Sequence, residues 1–126
     1  MSASVFKMNA AGNGAITAIM DVPEGDVYRL ISVSCNFNLA PTTSENFTIT
    51  LDDAYGNAYD LLLYTLDVSA GATTDILWQP DEELMLVGGD AVDVAFVNTD
   101  ARTWGLLYTV KPVSYTHLTL PTILLV

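Results

Sequence analysis

Apolar and polar residues alternate with period two through most of this chain. That alternation belongs to strands whose two faces meet different surroundings. The cleanest case sets Phe47, Ile49 and Leu51 against Thr48, Thr50 and Asp52. Residues 15–22 repeat it with Ile16, Ala18, Met20 and Val22, and residues 27–37 with Val27, Ile31, Val33, Cys35 and Phe37. Arg29 falls on that same side, which places it near a sheet end or beside a carboxylate. Residues 59–68 carry leucines on both faces, the pattern of a central strand covered on both sides. Residues 73–78 form a further strand stopped by Pro80, and residues 103–111 place Trp104, Leu106, Tyr108 and Val110 on one face. Two more alternating runs, Leu84 to Val87 and Val92 to Phe96, flank Gly88-Gly89-Asp90. This is a β-hairpin signal: glycine takes the positive φ of a tight turn, and Asp bonds its own backbone beside it. Gly88, Gly89 and Asp90 are therefore the structural turn around which the chain is organised.

Every gap between these runs holds turn chemistry, from Pro23-Glu24-Gly25-Asp26 through Asp53–Asn57 and Ser69-Ala70-Gly71 to Asn98–Ala101. Eight strands with no helical periodicity predict an all-β fold, an antiparallel eight-stranded β-sandwich of jelly-roll-like kind. An immunoglobulin-like sandwich is the alternative. Residues 1–14 show little periodicity and read as a flexible N-terminal arm or a short edge extension. Residues 15–112 are the sandwich domain.

Charge narrows the partners. Fifteen acidic residues stand against Lys7, Arg29, Lys111 and Arg102, a formal net charge of -11. Such a surface repels phosphate backbones and anionic lipid, so neither nucleic acid nor membrane is expected as a partner. No run approaches the roughly 18 apolar residues of a membrane span. With 51% hydrophobic residues, some apolar surface is expected to meet another protein or another copy. Met1 to Gly14 lacks a basic start followed by an apolar stretch, so no signal peptide is expected and synthesis is cytoplasmic.

The residues for catalysis are few. The single histidine, His117, lies in the tail discussed below, and Cys35 sits on an apolar face with no base nearby. No enzyme activity is expected. Carboxylates remain. Asp52, Asp53 and Asp60 gather around one turn with Asn57, and oxygen ligands at that spacing suit Ca²⁺, although the EF-hand pattern is absent. No other cofactor is expected. Acidic turn residues are also common without a metal, and the run Asp81-Glu82-Glu83 reads as a solvated loop guarding a strand edge. Among aromatic residues Trp78 and Trp104 alternate with core positions. Tyr55, beside Asp53 and Asn57, is the most exposed candidate for a ligand contact, so Tyr55 and Asn57 are the candidate ligand-binding pair.

Residues 113–122, Val-Ser-Tyr-Thr-His-Leu-Thr-Leu-Pro-Thr, resemble an in-frame translation of the adapter used in transposase-based sequencing libraries. On that reading residues 113–126 are an artefactual tail on a metagenomic read, and His117 has no role. The alternative is a ninth strand ending in Ile123 to Val126.

Three stretches carry a resemblance to a known group: Ala40 to Leu51, Thr73 to Trp78 with the Gly-Gly-Asp turn, and Asn98 to Gly105. Over residues 15–112 the chain resembles the small acidic all-β structural proteins of tailed bacteriophages. The resemblance implies a virion component, such as a head decoration, minor capsid or tail- or fibre-associated module. It implies a homo-oligomer that docks onto other virion proteins, and it brings no catalytic residues. The second hypothesis is a carbohydrate- or cell-surface-binding module with Ca²⁺ assisting near Asp53 and Asp60.

Overall fold

Strands form where the alternation predicts them, because each pairs a row of apolar side chains with a row that tolerates water. The structure, a computed structural model, describes residues 5–82 and 84–113. Its strands are β1 (Phe6–Gly12), β2 (Ile16–Asp21), β3 (Val27–Phe37), β4 (Asn46–Asp52), β5 (Leu61–Asp67), β6 (Asp75–Trp78), β7 (Leu84–Val87), β8 (Ala91–Phe96) and β9 (Trp104–Pro112), with one 3₁₀ turn at Asn57–Tyr59. They make two antiparallel sheets packed face to face. One sheet runs β1-β9-β3-β6, with β7 also on β3, and the other runs β2-β8-β4-β5.

β6 pairs with Val33 to Asn36 and β7 with Val27 to Leu30. The two short strands thus share one position beside β3, and nine segments fill eight places, four in each layer. The immunoglobulin-like alternative does not fit this order. That fold keeps its first two strands in one sheet, whereas β1 and β2 lie in opposite sheets.

Between the layers lie Leu30, Val33, Cys35, Leu106 and Val110 from the first sheet, and Ile16, Met20, Phe47, Ile49, Val92 and Val94 from the second. Phe96 bridges them, with ring centroids 5.5 Å from Phe37 and 6.5 Å from Phe47. The Tyr108 hydroxyl crosses from the first sheet to donate to the Val92 carbonyl of the second, at 3.0 Å. Burial pushes the Cys35 thiol up to about 12, as suits a small hydrophobe of the core.

Four expectations are corrected. First, Gly88-Gly89-Asp90 does not close a hairpin. β7 belongs to one sheet and β8 to the other, so the turn carries the chain across the sandwich. It is still a tight turn: the Asp90 N–H donates to the Val87 carbonyl at 3.0 Å, and Gly89 has φ +92°. Second, of the two readings of residues 1–14 it is the edge extension and not the flexible arm that forms: Phe6–Gly12 is an edge strand, paired with β9 from Phe6↔Val110 to Gly12↔Trp104. Phe6 and Met8 face the core there, and that apolar pair is what makes pairing favourable. Third, β5 is an edge strand and not a central one. Its Leu61 and Leu62 are 56% and 54% exposed, so leucine on both faces marks uncovered surface here. Fourth, Arg29 is not on the side of Val33 and Cys35. A register shift between Leu30 and Ser32 inverts the parity of β3, as an inserted residue must. It turns Arg29 outward with Lys111, its register partner. The tail expected to be artefactual lies, beyond Val113, outside the described residues, and His117 with it.

Candidate functional site

The predicted ligand residues sit on the loop between β4 and β5. Tyr55 is 84% exposed and Tyr59 63% exposed. Their rings meet edge to face at 6.3 Å, an arrangement favoured by the ring quadrupoles. Asn57 lies between them and is exposed. Trp78 and Trp104 belong to the packing. Trp104 is buried and its Nε1 donates to the Gly14 carbonyl at 2.9 Å, while Trp78 stacks on Tyr64.

The carboxylates near this loop serve the backbone. Asp60 Oδ1 accepts the Asp53 N–H and Asp53 Oδ1 accepts the Tyr55 N–H, both at 2.8 Å. Asp52 stands on the outer face of β4. Among the described residues no group of three or more His, Cys, Asp or Glu side chains is placed to hold a metal ion.

Asp90 does more than end a turn. It is 6% exposed. One carboxylate oxygen accepts the Val87 N–H at 2.9 Å and the other accepts the Ala54 N–H at 2.8 Å. The same turn is pinned to the end of β2, where Gly89 N–H meets the Val22 carbonyl and Val22 N–H meets that of Asp90. Gly88 has no room for a side chain: a Cβ there would stand 2.8 Å from Glu24 Cα and from the Pro23 carbonyl oxygen.

The opposite end of the sandwich is tied by side chains that the sequence marked only as turns. Asn98, buried and at φ +58°, donates to the Asn13, Gly14 and Arg102 carbonyls and accepts the Arg102 N–H. Asp100 accepts from the Thr42 and Thr43 amides and both hydroxyls. These donors hold its carboxyl below the usual carboxylate range. Asp67 is lowered in the same way by the Ser44 hydroxyl, then by the Ser69 hydroxyl and amide.

The outer faces of the two sheets differ in charge. The strands of the second sheet carry Asp21, Asp52, Asp67 and Asp93 and no lysine or arginine. Register sets one row across this face as Ile19, Asp93, Thr50 and Leu62, and the neighbouring row as Asp21, Ala91 and Asp52. Asp93 at the centre has its carboxyl raised, by burial first and then by the charges of Asp52, Asp21 and Asp60. Its Oδ1 is covered, and among the described residues it has no hydrogen-bond partner. The strands of the first sheet carry Lys7, Arg29 and Lys111 against the single acid Asp75. Lys111 stands opposite Arg29, and Lys7 opposite Thr109. Further along this face Ala11, Ser34 and Gly105 leave a shallow concavity of about 610 Å³.

No family model and no curated protein sequence matches this chain. Among solved structures, a chain of the acidic stable capsid structure of Helicobacter pylori bacteriophage KHP30 is similar in fold. The TM-score is 0.51 at 14% identity, over 87% of this chain and 94% of that one.

Sequence reasoning missed the roles of Asp93, Asp90 and Asn98. Asp93 carried a signal, an acid between Val92 and Val94 in a buried run. Asp90 and Asn98 carried none beyond turn propensity, because their partners at Ala54 and Gly14 are 36 and 84 residues away.

Proposed function

We propose that the chain is a non-enzymatic structural component of a phage virion, of the head decoration, minor capsid or tail- or fibre-associated kind, which acts by docking as an oligomer. The observation that carries this reading is the fold shared with a chain of a phage capsid structure along nearly the whole length of both. The nested strand orders β1-β9-β3-β6 and β2-β8-β4-β5 are read here as a jelly roll. Exposed Ile19, Leu61, Leu62 and Leu77 on its faces and edges suit a protein that meets neighbours. The non-enzymatic part rests on chemistry: the Cys35 thiol is buried and raised to about 12, and the histidine is confined to position 117. The test is mass spectrometry of density-gradient-purified particles from the source of this sequence. The protein is expected in the particle band in fixed ratio to the major capsid protein. Recovery from the unassembled fraction alone would overturn the reading.

One observation favours a second reading, a glycan- or cell-surface-binding module: the solvent-facing Tyr55 and Tyr59 pair makes an aromatic platform. It predicts a glycan-array signal that Tyr55→Ala abolishes. If calcium assists, it also predicts a melting temperature raised by the metal. A silent array ends it.

A further inference from the structure

The strands of the two sheets carry opposite charge on their outer sides, and both charge clusters lie at the same end. β2 ends at Asp21, and the turn at residues 23–26 leads directly into β3, where Arg29 faces Lys111. Asp52 and Asp93 flank Asp21 across Ala91 and the next row. The cationic cluster and the acidic cluster therefore occupy the same end of opposite outer faces. A second copy displaced along the sheet normal, without being turned over, brings the acids of one over the lysines of the other.

We infer that copies of this chain stack head to tail, the acidic outer face of the β2-β8-β4-β5 sheet of one seated on the Lys7 and Lys111 face of the next. The inference deepens, and rests on, the reading of an oligomeric virion component. The occupant follows from charge complementarity. The chain has four cationic residues, and three of them sit on the face opposite its acidic one; Asp81 and Glu82 stand beside Arg29 there, so Lys7 and Lys111 are the cations that carry the contact. The acidic face itself is built for close approach: Ala91, Ala95, Thr17, Thr48 and Thr50 floor it with short side chains. At its centre Asp93 stands in one row with Ile19 and Thr50.

Such a contact is heterologous, so it propagates into rings or stacks and does not stop at a pair. It is also weak. Four strands about 4.8 Å apart and seven residues of about 3.3 Å cover roughly 440 Å². Two such faces bury about 900 Å², below the roughly 1,200 Å² of a stable free complex. Self-association is therefore expected at a Kd of about 10 μM to 1 mM, effective where a particle holds copies side by side.

Sedimentation velocity on the full chain tests this, at low salt and at about 1 M NaCl, where the screening length falls to about 3 Å. The weight-average sedimentation coefficient should rise with concentration at low salt and lose that rise at high salt. Asp21→Lys with Asp52→Lys removes the negative excess of the acidic face, and Lys7→Glu with Lys111→Glu leaves two acidic faces. Each double variant alone should associate at least tenfold more weakly. An equimolar mixture of the two should recover association, because the native pair of faces is again present. Circular dichroism checks that the variants fold. If either fails to, carbodiimide crosslinking of a mixture of ¹⁴N and ¹⁵N wild-type copies should join Lys7 or Lys111 of one isotope to Asp21 or Asp52 of the other. A wild-type chain monomeric to about 1 mM, variants that associate like wild type, no recovery on mixing, or crosslinks confined to single copies would each overturn the stacking. A chain found in purified particles yet monomeric in solution sinks the stacking alone. A chain that stacks yet never accompanies particles sinks the virion reading alone.

Discussion

Asp90→Ala tests the central claim about the fold, that one buried carboxylate locks the crossing between sheets. The side chain accepts two backbone N–H groups, Val87 at 2.9 Å and Ala54 at 2.8 Å, from a position 6% exposed. A hydrogen bond to a charged group contributes about 1.5–3 kcal/mol net, so the two together represent about 3–6 kcal/mol. Water reaching the vacated end of the sandwich offsets part of that, and a loss of about 3–5 kcal/mol is expected. For a domain of this size each kcal/mol moves Tm by roughly 4 °C, so the variant should melt about 12–20 °C below wild type. Asp90→Asn keeps one acceptor and turns an NH₂ toward a donor, so it should fall between the two. Urea unfolding followed by the fluorescence of Trp78 and buried Trp104 reads the change, with the slope m showing whether the unfolded states are alike. An Asp90→Ala loss under about 1 kcal/mol with unchanged m would refute the reasoning, because two part-buried amides left without their charged acceptor cost more than that.

Asp93→Asn should stabilise the protein at neutral pH. The folded carboxyl is raised, so the native state holds its proton more tightly than the unfolded chain does. The penalty sets in as pH rises through the unfolded value of 3.8 and is complete above the folded one. The gain in Tm should therefore vanish in acid, and a destabilised variant at pH 7 would contradict the assignment. Asp67 and Asp100 have the opposite sign. Their lowered carboxyls contribute stability that is present above 3.8 and is lost as pH falls through the folded values. Asp100→Asn should flatten the acid limb of a Tm-against-pH curve, and an unchanged limb would dissociate it from acid lability. Gly88→Ala forces a Cβ against the backbone at 2.8 Å and should cost about 1–3 kcal/mol. In Gly89→Val a branched side chain meets φ +92° and the Ala54 Cβ at 3.0 Å, and chemical denaturation should show the larger loss.

Strand positions were legible because alternation and turn residues are local properties. Phe47 to Asp52 and Trp104 to Val110 could be read directly. β1 was legible too: Phe6 and Met8 alternate with Lys7 and Asn9, but four residues of pattern ahead of glycines gave little weight. β5 misled for a physical reason. Leucines facing both ways satisfy a buried central strand and an exposed edge equally, and only the position of neighbours distinguishes them. The exposure of Tyr55 was legible, because it stands in a turn. The amides that Asp53 and Asp60 accept were not, since a run of acids around a turn does not reveal where their oxygens point.

By itself the sequence determined that this chain is all-β, where the strands from β2 to β9 lie, and that Gly88-Gly89-Asp90 is a tight turn. Period and backbone permissiveness decide those things within a few residues. Tertiary structure alone decided which sheet each strand joins. A Gly-Gly-Asp turn accommodates a hairpin and a crossing equally well, and the choice fell to β7 pairing with β3 and to β8 pairing with β2 and β4. Those pairings link residues up to about 80 apart, with energies that no local pattern records. The separation of Lys7 and Lys111 from Asp21, Asp52 and Asp93 onto opposite faces follows from the same pairings, and so it too became visible only in the folded chain.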